Sequence, residues 1–92
     1  MNNTLKLAET ALDDGNINEA TAIVNNILGT DHSNVDALML MVKIYYKKQK
    51  WGDALNTLNK VEEIDPNHKS VVHYRQMINS ILNYWNKDNY NP

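Results

Sequence analysis

The feature that most restricts how this chain can fold is a helical apolar rhythm that returns after a fixed interval. Apolar residues recur at i, i+3 and i+4 almost throughout. Shifted by 34 residues, Ala20 falls on Ala54, Asn25 on Asn59 and Asp31 on Asp65. The apolar register holds as well, with Leu5 on Met39, Leu7 on Met41, Ala8 on Val42, Ala11 on Tyr45, Leu12 on Tyr46, Val24 on Leu58 and Ile27 on Val61. Self-similarity at this period marks stacked helical units, each too small to cover its own apolar face.

The rhythm and its interruptions divide the chain. Leu5, Leu7, Ala8, Ala11 and Leu12 form the stripe of a first helix, stopped by Asp13-Asp14-Gly15-Asn16, where Gly15 can take a left-handed conformation. Ala20, Ile23, Val24, Ile27 and Leu28 form a second, closed by Gly29. In the turn that follows, Ser33 or Asn34 can cap a third helix over 35–48. A fourth is expected over 52–64 and a fifth over 67–86, with Asp65 capping and Pro66 in the first turn. The expected organisation is a first repeat at 1–34, a second at 35–68, a capping helix at 69–87 and a flexible tail at 88–92. Ile17 and Trp51 pair in this frame, each in the turn of a hairpin, where a large apolar side chain can plug the open end. That reading makes Trp51 structural.

Composition narrows the class of function. The chain has 92 residues, enough for one domain, and two Pro and three Gly leave few of the tight turns an all-β fold needs. A net charge of −2 gives no electrostatic reason to expect nucleic acid, and no apolar run is long enough for a membrane. Absence of Cys removes disulfide and thiolate chemistry and fits a reducing, cytoplasmic setting. The three His, at 32, 68 and 73, include no i, i+4 pair, and the grouping of Asp65 with His68 and His73 has poor spacing for a metal. There is no Gly-rich phosphate loop, and no nucleophile sits beside a plausible base. Neither an enzyme nor a cofactor is expected.

The second unit reads Leu38-x-x-Met41-Val42-x-x-Tyr45, then Ala54-x-x-x-Leu58, then Pro66. The first reads Leu7-Ala8-x-x-Ala11, then Ala20-x-x-x-Val24, with His32 in place of Pro. This pattern resembles the tetratricopeptide repeat over residues 1–68. The resemblance implies an all-α, right-handed array of antiparallel helix pairs. Thr4 and Leu38 depart from it, standing where the family often has Trp. Val42 replaces a usual small residue and should hold its helix slightly away from its partner. Such arrays are usually stable with three or more units, whereas two and a half are legible here. Either the fifth helix caps the stack, or another copy or partner completes it.

By the same resemblance, the chain should bind a protein or peptide in a concave groove lined by the first helix of each pair. The groove would present Asn2, Leu5, Glu9, Leu12 and Asp13 from the first unit. The second would add Asp36, Met39, Lys43, Tyr46 and Lys47, and the fifth helix Ser70, His73 and Met77. Some family members clamp a C-terminal carboxylate with Lys, Asn and Arg. The matching positions here hold Leu5, Glu9, Leu40, Ser70 and Tyr74, which argues against such a clamp. Glu9 and Lys43 lie one period apart, as do Asp13 and Lys47, so stacking should set each pair face to face. They could join as ion pairs between units, or orient a dipolar peptide. The fifth helix carries a wide stripe, Val71, Tyr74, Ile78, Ile81 and Trp85, broadened by Met77, Leu82 and Tyr84. Its surplus at Ile78, Ile81, Tyr84 and Trp85 suggests an alternative function, homodimerisation through this helix.

Overall fold

The computed structural model describes the backbone of residues 2–90 and the side chains of residues 4–85. Five helices follow one another: α1 (Asn2–Asp13), α2 (Ile17–Thr30), α3 (Val35–Lys47), α4 (Trp51–Ile64) and α5 (Lys69–Tyr90). Each packs on its neighbour in sequence, and α1 also reaches α3. That is the connectivity of a stack of hairpins, and the principal extents of 52 × 29 × 19 Å fit an elongated array.

The turns repeat more faithfully than the side chains. In the first hairpin the N–H of Asn16 donates to the carbonyl of Ala11 and that of Gly15 to Leu12. In the second, Lys50 donates to Tyr45 and Gln49 to Tyr46, the same bonds shifted by one period. Both are the 6→1 and 5→2 bonds of a Schellman motif, which needs a left-handed residue just past the helix end. Gly15 supplies it at φ 85° and Gln49 at φ 60°. Asp31 and Asp65 close α2 and α4 with nearly the same torsions, φ −141°, ψ 76° and φ −135°, ψ 86°, and donate to Ile27 and Val61.

Of the two candidate caps for α3 it is Asn34 that acts, its Oδ1 accepting from the N–H of Ala37 at 3.0 Å. Pro66 lies in the turn ahead of α5 rather than in its first helical turn, and the helix begins at Lys69. The N–H of His68 donates to the Asp65 carbonyl at 3.1 Å, closing that turn. Trp51 opens α4 instead of standing in the loop before it. α5 continues to Tyr90, past the expected end near 86, so the expected tail begins inside a helix. Residues 91 and 92 lie outside the described residues.

The core is two clusters joined by α3. Ala37, Leu40, Met41 and Ile44 face α1 and α2, where they meet Ala8, Ala11, Leu12, Ala20 and Val24. Leu38, Met39 and Val42 turn the other way, to Ala54, Leu58, Val61, Val71 and Ile78. Six consecutive residues of α3, 37 to 42, are therefore buried, and the helix is apolar nearly all round because it lies between two units. Val42 is fully buried, in the cluster that joins α3 to α4 and to Val71 and Ile78 of α5.

Candidate functional site: the groove between α1, α3 and α5

α1 approaches α3 through small side chains, Ala8 and Ala11 against Ala37, so the two backbones come close. α5 does not follow suit. Among the described residues no Cα of α5 comes within 8 Å of α3. Bulky residues fill the seam instead: Tyr46 of α3 meets Tyr74 of α5 edge-on, with ring centroids 5.9 Å apart. Tyr46 meets Trp51 in the same way at 5.2 Å. These T-shaped contacts are a preferred aromatic geometry, and the Tyr46–Tyr74 pair spans the gap between α3 and α5.

Beside this pair lies a cavity of about 880 Å³. Its aromatic and apolar lining is Tyr46, Trp51, Tyr74, Met77, Ile81 and Trp85, with Leu12 and Leu82. Asp13, Lys43, Lys47 and Gln49 supply its polar rim. A second cavity of about 370 Å³ continues toward the N-terminal ends of the same helices. It is lined by Leu5, Glu9, Asp36, Met39, Leu40 and Ser70, with His68, and shares Lys43 and Tyr74 with the first. Burial, and then the nearby Tyr46, push the Tyr74 phenol above its ordinary range. It stays a neutral hydrogen-bond donor well into alkaline conditions.

Eleven of the thirteen residues expected in the groove line one of these cavities: Leu5, Glu9, Leu12, Asp13, Asp36, Met39, Lys43, Tyr46, Lys47, Ser70 and Met77. Met39 is only 8% exposed and belongs mainly to the core. His73 lines neither cavity; it is exposed and stacks edge-on against Tyr74 at 6.0 Å. The side chain of Asn2 lies outside those described. The five positions matched to a carboxylate clamp do gather, all lining the smaller cavity without a basic group of their own.

Two expectations need correction. The facing charges are not joined: among the described residues neither Glu9–Lys43 nor Asp13–Lys47 forms an ion pair. The pair that does form joins Arg75 to Glu62, N to O 3.1 Å, with Arg75 also donating to Asn59 at 2.9 Å. It ties α5 to α4 away from the groove. The surplus stripe of α5, moreover, is not one surface. Ile78 is 0% exposed in the core, Ile81 and Trp85 line the groove, and Tyr84, 65% exposed, points elsewhere.

Trp51 and Trp85 join the groove without a signal in the repeat frame, because Ile17, the equivalent residue of the first unit, lines neither cavity. Trp85 lies 34 residues beyond Trp51, as Trp51 does beyond Ile17.

Helical hairpins stacked so that the first helix of each pair lines one concave face define a short α-solenoid. Residues 5–76 match the model of the tetratricopeptide repeat, and the chain belongs to that family. Members generally act in protein–protein interaction. Over 55 residues, 60% of this chain, it is 36% identical to part of Superkiller protein 3 from Saccharomyces cerevisiae. That stretch is 4% of the relative's length, so the likeness is to one small segment of a much longer protein. No solved structure matches the chain significantly. No helix among the described residues is long and apolar enough to cross a membrane.

Proposed function

We propose that this chain is a non-catalytic, cytoplasmic interaction module that binds a peptide or partner helix in the groove between α1, α3 and α5. One observation carries the reading. Ile81 and Trp85, the apolar surplus of α5, open onto the same cavity as Tyr46, Trp51 and Met77. A concave site with an aromatic lining and a few polar groups at its rim is the usual form of a binding pocket. Met77 gives the wall a side chain that repacks readily around different ligands.

The chain carries its own reporter, because both of its Trp residues line this cavity. Peptides selected against the intact chain from a displayed random library should change its Trp emission on titration. Tyr46→Ala should weaken them by about tenfold or more, as loss of a central aromatic anchor does. Selected peptides that bind Tyr46→Ala and the parent chain equally would overturn the reading.

A second reading, homodimerisation through α5, rests on Tyr84 and Trp85, exposed at 65% and 57% and in edge contact with centroids 6.0 Å apart. Trp85 cannot separate the two readings, since it lines the groove. Tyr84 can. Light scattering over a concentration series should show a dimer that Tyr84→Asp abolishes; a parent chain monomeric throughout would remove this reading.

A further inference from the structure

The groove faces of α1, α3 and α5 occupy equivalent positions in the repeat frame but carry three different chemistries. Glu9, Lys43 and Met77 are one period apart, and so are Asp13, Lys47 and Ile81. On each helix the two residues are separated by four positions and share a face. α1 thus offers two carboxylates, α3 two ammonium groups and α5 an apolar wall continued by Trp85. All but Glu9 line the larger cavity, and Glu9 lines the smaller beside Lys43.

Ion pairing across the groove would have erased this pattern. It does not occur among the described residues, so the carboxylates and ammonium groups are left to pair with whatever enters between them. Asp36 and Lys47, in the first and last turns of α3, also complement that helix's own dipole. Such a role would be the same with or without a ligand, which separates it from recognition.

We infer that the groove selects an extended peptide whose side chains are basic, then acidic, then bulky and apolar, read from α1 across α3 to α5. The inference rests on the groove-binding reading above and adds an order to it. Packed helices lie roughly 8–10 Å apart, and a peptide extended in the polyproline II form rises about 3.1 Å per residue with three residues per turn, so that every third side chain faces the same way. The three side chains should therefore recur at about every third residue, the last step the longer because α5 stands farther from α3. The basic side chain meets Glu9 and Asp13, the acidic one Lys43 and Lys47, and the apolar one Met77, Ile81 and Trp85. An oligonucleotide fits less well, because carboxylates of α1 line the same space as the lysines.

The test is the order of residues in peptides selected on the intact chain, followed by a reciprocal charge exchange. Enrichment of the basic, acidic, apolar order at this spacing is expected. Lys47→Glu should weaken the best peptide by about tenfold, and replacing that peptide's acidic residue by Lys should restore much of the loss. The variant's far-UV dichroism should match the parent's, since Lys47 is exposed. Apolar peptides enriched with no charge order, but still lost with Tyr46→Ala, would overturn the inference and leave groove binding standing. Peptides indifferent to both variants would overturn the two together. A labelled single-stranded oligonucleotide that displaces the peptides would also overturn the inference.

Discussion

At the scale of single residues, the most telling comparison is between Gly15 and Gln49. Both close a helix in the left-handed region, at φ 85° and φ 60°. Only glycine does so without a steric penalty, and for other residues that conformation costs roughly 1–2 kcal/mol. Gln49→Gly should therefore stabilise the chain by about 0.5–1 kcal/mol, the relief exceeding glycine's added freedom in the unfolded state. Gly15→Ala should destabilise it by about 1 kcal/mol. A Cβ at Gly15 would meet nothing within 4 Å, so that cost is one of backbone conformation alone. Urea titrations of the variants would measure both, and a loss of stability in Gln49→Gly would contradict the account. The sequence announced the first of these positions through Gly15, since glycine is the usual residue there. At Gln49 only the repeat frame does so, because the residue itself does not favour the torsion.

At the scale of elements, α5 shows how far a stripe of apolar residues can be read. Its helical character and its surplus of large side chains follow from sequence spacing. The division of that surplus among core, groove and outer surface does not. It depends on where α4 sits and on the Tyr46–Tyr74 contact, neither of which is local. The charges of α1 and α3 teach a similar lesson. Their register was legible, but whether they meet depends on how far apart the helices stand. Two substitutions about two turns apart should separate the roles within α5. Ile78→Ala should cost about 2–5 kcal/mol, as for a fully buried aliphatic side chain. Trp85→Ala, at a site 57% exposed, should cost less than about 1 kcal/mol. Thermal melts would show the difference, and equal shifts would mean that α5 is packed otherwise.

At the scale of the whole molecule, α5 is a structural member of the stack as well as a wall of the groove. Val71 and Ile78 cover the side of the second unit that Leu38, Val42, Leu58 and Val61 present. A chain ending before Pro66 would leave that face in water, and a single helical pair cannot cover it. It should lose cooperative unfolding in urea followed by far-UV dichroism, whereas a cooperative transition at an unchanged midpoint would show α5 to be dispensable. The number of helices, their pairing and the family were all legible from the 34-residue period, since each is a consequence of local spacing. The width of the groove was not, because it depends on how side chains such as Tyr46 and Tyr74 meet between helices far apart in sequence. The matched torsions at Asp31 and Asp65 have one more consequence. Residues 32–65 begin and end at junctions of the same backbone shape, so this segment is a cassette: a tandem copy inserted after Asp65 would be joined at both ends by turns the chain already makes.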